Sequence, residues 1–378
     1  MKALLRGGRV WHTDGSFAED CPVIWENGII LAVGEGCQRF TADQTVDACG
    51  KTVLPGLVDV HTHGRAGYDF STATADEMRV MKTDYARHGV TTVFPTLASA
   101  APADWVRAID LIEACGFDGI HLEGRYLNPA KRGAHAPELL APLDADELEG
   151  FLRRIHIPCH ISAAFELDKD GFFAACALRH GATLGLAHTM ATAEEARIAV
   201  SRGVTSFTHL FNAMPPLHHR EGGAVSVALC GGGYGELIAD GIHVCPDMVR
   251  LAYRCLGKDQ AVLVTDSMEA TGCADGTYAI AGQPVTVKDG KALTADGALA
   301  GSTLELWDGV KNLMRFARVP LEDAIACATL NPARMVGIDA RVGSIDVGKR
   351  ADLLLTDAAS MDLYAVILGG ELLERSLL

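Results

Sequence analysis

Between residues 57 and 329 the chain repeats one pattern: a short apolar run, a loop, then a stretch with apolar residues at helical spacing. The strand-like runs fall at 57–61, 91–96, 119–122, 156–163, 182–187, 206–210, 237–244 and 261–265. Helices are expected at 75–88, 103–114, 145–154, 169–179, 193–201, 246–256, 304–316 and 321–329. Thr192 followed by Glu195 forms a capping-box pattern ahead of one helix. Pro246 suits the first turn of another, where its missing N–H costs nothing. Eight such alternations predict an α/β fold, a TIM-like (β/α)8 barrel. A doubly wound dinucleotide-binding sheet would instead carry a glycine-rich turn after its first strand. That place holds "HTHGRAGYDF", whose glycines follow metal-type ligands.

The polar residues at the strand ends favour the barrel. His61 and His63 flank Thr62 at the end of the first run, and residues i and i+2 of a strand share a face, so the pair can grip one ion. Glu123 ends the third run, His188 the fifth, His209 lies near the end of the sixth and Asp266 ends the eighth. A closed barrel brings those ends to one mouth; an open sheet does not. Taken singly, each histidine reads as readily as a half-buried residue bonded to backbone, and Asp266 as a helix cap. Together, Glu123, His188 and His209 make a ligand set for Zn2+ or another divalent first-row ion (Fe2+, Co2+ or Mn2+), with one position left for water. His61 and His63 would hold a second ion, so one or two ions are expected per chain. Two neighbouring cations need an anionic bridge. The fourth run, "HIPCHISAAFE", has no lysine to provide one, so Glu123 is the candidate, with Asp266 close to both ions. His160 reads as core or as a support to a ligand. An aspartate behind an apolar run is costly without a cation or hydrogen bonds, and Asp266 is suited to take a proton from an attacking water and return it to a leaving group.

Composition narrows the partners. A formal net charge of -15 argues against nucleic acid or an anionic membrane, both of which need a basic footprint. A small anionic substrate remains open, because Lys131 and Arg132 make the loop before His135 locally positive. The eleven cysteines are scattered without a CxxC pair and read as reduced residues of a cytoplasmic protein. "MKALLRGGRVWHTDG" turns polar too soon for a signal peptide, and no apolar run approaches membrane-spanning length. The first fifty or so residues and the last forty are short strand candidates broken by glycines and turns. They predict a small β-sandwich domain built from both termini, residues 1–54 and 338–378, around a catalytic barrel of residues 55–337.

At this point the segments "PGLVDVHTHG", "HLEG", "KRGAH", "THLFNAMPPLHHREGG", "IADGIHV", "LVTD", "LAGSTL", "ATLNPAR" and "GKRADLLL" resemble, in order, the N-acetylglucosamine-6-phosphate deacetylase family of the amidohydrolase superfamily. The resemblance implies a metal-dependent hydrolase that removes acetate from N-acetyl-D-glucosamine 6-phosphate to give D-glucosamine 6-phosphate. It makes Glu123, His188 and His209 ligands of a metal all members use, and His61 and His63 those of a second site present in some. It makes Asp266 the catalytic acid/base, with His135 stabilising the oxyanion. Ala134, His135, Asn212, Ala213, Arg220, His243 and Leu299 fall at substrate-contacting positions. Arg220 and His243 would meet the phosphate, His243 reaching in from the neighbouring subunit of a homodimer. Three departures stand out: Arg125 and Tyr126 follow "HLEG" in place of proline and an aromatic residue, Gly222 replaces a proline, and Ser267 replaces an alanine. Arg125 leaves open an amidohydrolase acting on a different N-acyl amino sugar or N-acyl amine, although we expect it to pack against Tyr126 as a rim or structural residue.

Overall fold

The structure, a computed structural model, describes residues 1–280, 282–295 and 297–373. Its centre is a parallel sheet of eight strands, β1 (Leu57–Thr62), β2 (Val90–Leu97), β3 (Ile120–Glu123), β4 (Cys159–Ala163), β5 (Thr183–Leu186), β6 (Val204–Phe207), β7 (Tyr234–Leu237) and β8 (Ala261–Leu263), each beside its neighbour in chain order. These strands are buried on both faces, as a sheet covered by helices outside and filled by side chains inside requires. The sheet closes at its C-terminal mouth, where the Asp266 N–H donates to the His61 carbonyl (2.9 Å) and the His63 N–H to the Ser267 carbonyl (2.8 Å). At the opposite end, the Val58 and Leu263 N–H groups donate instead to the carbonyls of Ala328 (2.9 Å) and Cys327 (2.7 Å). A short segment thus takes up the backbone groups that β1 and β8 would otherwise exchange.

Helices α1 (Ala75–Arg87), α2 (Pro102–Ala114), α3 (Ala145–Leu152), α4 (Phe172–Arg179), α5 (Ala193–Ser201), α6 (Gly223–Leu229), α7 (Pro246–Gln260) and α8 (Leu306–Leu313) follow the strands in turn. The capping box of α5 forms as read: Thr192 accepts from the Glu195 N–H and Glu195 from the Thr192 N–H. Buried aromatic rings of Trp105, Tyr126, Phe151 and Phe173 join α2, α3 and α4 edge to face.

Three places differ from the expectation. The seventh strand lies at Tyr234–Leu237 rather than 237–244, because the Asp240 carboxylate accepts from the N–H groups of Ile242 (2.7 Å) and His243 (2.8 Å) and folds that apolar run into a turn. Helix α6 was not expected, since glycines surround it on both sides. A three-stranded antiparallel sheet (Gly276–Ile280, Gln283–Lys288, Lys291–Thr294) follows β8 and brings Ile280 and the 299–301 segment to the mouth.

Both termini form the remaining sheets. One has four strands, all from residues 2–47; the other has six, in which Leu353–Asp357, Leu363–Leu368 and Glu371–Leu373 join Lys51–Pro55, Arg9–Trp11 and Phe17–Ala18 where Leu353–Asp357 pairs with Lys51–Pro55. They share a core of Leu5, Val23, Trp25, Val53, Leu353 and Ile367, which makes the expected sandwich from both ends of the chain. Among the described residues no helix is long and apolar enough to cross a membrane.

Candidate active site at the barrel mouth

The ends of β1, β3, β5, β6 and β8 meet in a cavity of 490 Å³. Three of the residues aimed into it, His188 (φ 42°), His209 (φ 32°) and Asp266 (φ 49°), sit in the left-handed region just beyond their strands. Ordinary side chains avoid that conformation, and it concentrates where a protein must aim a functional group. The Glu123 carboxylate lies at the centre. Its Oε1 is 2.9 Å from His209 Nε2 and 3.3 Å from His188 Nε2; its Oε2 is 3.1 Å from His61 Nε2 and 3.0 Å from His63 Nε2. Asp266 Oδ1 lies 3.5 and 3.3 Å from the same atoms of His61 and His63.

The protons on these rings show what the cluster holds. His188 Nδ1 is 2.7 Å from the Lys131 carbonyl, which only accepts, so Nδ1 carries the hydrogen and Nε2 presents a lone pair. That lone pair faces a carboxylate oxygen and, at 3.0 Å, the Nε2 of His209. His61 Nδ1 likewise faces Glu236 Oε2 (3.2 Å), which turns its Nε2 lone pair toward Glu123 and Asp266. Lone pairs aimed at one another need a cation between them. Protons can serve: burial opposes them, but Glu123 and Asp266 hold the His61 imidazole well above its ordinary range and His63 at about 9. The same forces act in reverse on Glu123: burial opposes its charge, yet His61 and the hydrogen bonds from His188, His209 and His61 pull its carboxyl well below the usual carboxylate range. A divalent cation could stand where those protons do: the donors fall into one group of Glu123, His188 and His209 and another of His61, His63, Glu123 and Asp266. The buried carboxylates and imidazoles of this donor set fit a divalent metal centre.

His135 also comes within ligand distance of Glu123 and His188. Its hydrogen bonds give it another role. The Ser99 N–H (3.3 Å) and hydroxyl (2.9 Å) both meet Nδ1, and the Ser99 oxygen itself accepts from the Arg125 N–H (2.7 Å). The Ser99 hydroxyl therefore donates to Nδ1, and His135 presents Nε2–H to the cavity. Burial, and next the neighbouring His188, push its imidazole down to about 3, so it stays neutral.

The mouth of this barrel can be compared with those of known proteins. An amidohydrolase family model matches residues 52–373. N-acetylglucosamine-6-phosphate deacetylase of Vibrio furnissii is 34% identical over 366 residues, covering 92% of this chain and 88% of that protein. The chain belongs to the N-acetylglucosamine-6-phosphate deacetylase family. The Mycobacterium smegmatis deacetylase, solved in complex with N-acetyl-D-glucosamine-6-phosphate, superposes with a TM-score of 0.90 at 32% identity over 98% of this chain and 99% of that one. The N-acetylgalactosamine-6-phosphate deacetylase of Escherichia coli O157:H7 is 36% identical, covering 95% of this chain and 96% of that protein.

Within this family member, Ala134, His135, Asn212, Ala213, His243 and Leu299 all line the cavity with the ligand-type residues, and so do Lys131 and Arg132. Two of the substrate-contact candidates differ in setting. His243 lines the cavity of its own chain, with the Asp240 carboxylate 2.6 Å from its Nδ1. Arg220 lies on an exposed loop outside the cavity, its guanidinium bonded to His219 Nε2 (2.9 Å), because the 215–222 loop runs out across the surface. Arg125 faces away from the cavity as expected. It donates to the Ala100 carbonyl (2.7 Å) and to Glu147 (3.0 Å), whose other oxygen accepts from Tyr126 (2.7 Å). His160 sits fully buried beneath the site. Glu236, at β7, was not anticipated: reading the seventh strand at 237–244 left it outside the barrel.

Proposed function

We propose that this protein removes acetate from N-acetyl-D-glucosamine 6-phosphate, giving D-glucosamine 6-phosphate, with one or two divalent ions, Zn2+ foremost. The observation that carries the reading is the meeting of Glu123, His188, His209, His63 and Asp266 in one cavity, with His61 behind Glu123, beside His135 and the cationic Lys131 and Arg132. Metal ions held by these residues would polarise the amide carbonyl and make water a competent nucleophile near neutral pH. Asp266 accepts the proton of the attacking water at its carboxylate and returns it to the departing amine nitrogen. His135 donates Nε2–H to the carbonyl oxygen as negative charge develops there. Asn212 and the backbone at Ala134 and Ala213 orient the sugar, while Leu299 covers it. Lys131 and Arg132 supply the positive field for the phosphate, and His243 a hydrogen bond.

A homodimer belongs to the same proposal. Arg220 is exposed and does not line its own cavity, and a second copy would let it complete a neighbour's phosphate site. A cytoplasmic location belongs to the same proposal, supported by eleven scattered cysteines without a CxxC pair. A second reading, the C4 epimer N-acetylgalactosamine 6-phosphate, is favoured by the Escherichia coli O157:H7 relative. Acetate release from both hexosamine phosphates by metal-loaded protein decides between them. A higher kcat/KM for the gluco sugar is expected; a higher value for the galacto sugar supports the second reading, and hydrolysis of neither rejects both.

A further inference from the structure

Beneath the cavity lies a carboxylate that the reaction does not use. Glu236, on β7, is 0% exposed and has no lysine or arginine partner. A carboxylate is costly to bury in that way. Its Oε2 accepts from His61 Nδ1 (3.2 Å) and from the backbone N–H of His209 (3.2 Å). Its Oε1 lacks a hydrogen-bond donor and stands 3.7 Å from His160 Nε2. One oxygen thus ties the ring of a residue in one half of the site to the backbone of a residue in the other.

Two geometric consequences follow. A carboxylate can only accept, so the hydrogen of a neutral His61 sits on Nδ1 and its lone pair on Nε2 points at Glu123 and Asp266. The edge of that ring also meets His121, at 4.6 Å between centroids, and His121 is held by the hydroxyls of Thr96 (3.1 Å) and Ser162 (2.7 Å). At His209 the same oxygen holds the N–H of a residue in the left-handed region, the turn that swings its imidazole toward Glu123.

We propose that Glu236 is a positioning residue: it fixes the tautomer and ring orientation of His61 and thereby sets how tightly the His61–His63 pair holds its ion. The proposal rests on the reading of His61 and His63 as ligands. A carboxylate on the far nitrogen of a ligating imidazole orients the ring and raises its basicity, and its loss weakens metal binding by roughly 10–100-fold.

The test is a Zn2+ titration of metal-stripped protein against a chromophoric chelator, in wild type, Glu236→Leu, Glu236→Gln and His61→Ala. Glu236→Leu keeps the volume and removes both acceptors. It should weaken the His61–His63 ion by ~10–100-fold and the other ion less, since His209 loses only one backbone hydrogen bond. Glu236→Gln retains one accepting oxygen and should restore part of that loss, which a residue that merely fills space would not do. If Glu236→Leu does not fold, Glu236→Gln alone still decides, since it lacks the charge and should weaken the same ion several-fold. Wild-type affinity in these variants, or equal weakening of both ions, overturns the proposal. If His61→Ala removes one ion and the Glu236 variants remove none, only the role of Glu236 falls. If His61→Ala leaves the stoichiometry unchanged, His61 is not a ligand, and both readings fall together.

Discussion

Each residue at the mouth owes its role to what its neighbours allow it to do with a proton. Asp266 has His61 and His63 on one side and open cavity on the other, the position of a group that exchanges protons with substrate. Asp266→Asn should keep the ion at Glu123, His188 and His209 and lower turnover by ~10²-fold or more; near-normal turnover with that ion in place would remove Asp266 from the chemistry. His135 carries a pH signature. Its imidazole is held at about 3 in the folded protein, mainly by burial and next by His188, against an ordinary value of about 6.5. Between those values the unfolded chain takes up a proton that the native state refuses. The stabilisation is complete above about pH 6.5 and is lost as pH falls. From pH 7 to pH 5 that loss is on the order of 2 kcal/mol. Urea unfolding of metal-free protein should show His135→Gln losing less stability over that interval than wild type; equal losses would mean His135 is not a buried neutral ring. The cluster of ligand-type residues was legible in the sequence because residue type and strand-end position state their chemistry. Glu236 was not. Nothing in "GYGELIAD" separates a buried carboxylate from a loop one until the end of β7 is known.

At the scale of elements, the β3 end and α3 form one clamp. Arg125 ties Ala100 ahead of α2 to Glu147 of α3, and Tyr126 donates to the same carboxylate. Arg125→Ala should therefore cost about 1–3 kcal/mol of stability, read by thermal or urea unfolding. It should change KM for a phosphorylated substrate little; loss of phosphate preference would place the guanidinium in the site after all. The strand and helix order was readable because burial on both faces and helical periodicity are written in the residues themselves. The seventh strand was misplaced because the run after Leu237 is as apolar as a strand, and only the Asp240 carboxylate, capturing two N–H groups, makes it a turn. The three-stranded sheet over the mouth was missed because its strands are short and half-exposed and give no continuous apolar run.

The whole molecule joins its two termini in one sandwich and gathers its ligand-type residues at the mouth where β1 and β8 join. Assembly enters through Arg220, outside its own cavity. If two copies share sites, Arg220→Ala and Asp266→Asn, each impaired on a phosphorylated substrate, should regain activity when co-expressed, because a mixed dimer contains one site with both residues. No recovery, with mixed dimers present, would confine Arg220 to its own chain or to the surface. The central claim, phosphate-dependent deacetylation at this mouth, is tested most directly by kcat/KM for acetate release from N-acetyl-D-glucosamine 6-phosphate against unphosphorylated N-acetyl-D-glucosamine, with metal-loaded wild type. Desolvated charged contacts are worth about 2 kcal/mol or more, so the account predicts a preference of ~30-fold or more for the phosphorylated sugar. Equal efficiency on the two sugars, or no acetate from either with the metal bound, would contradict it.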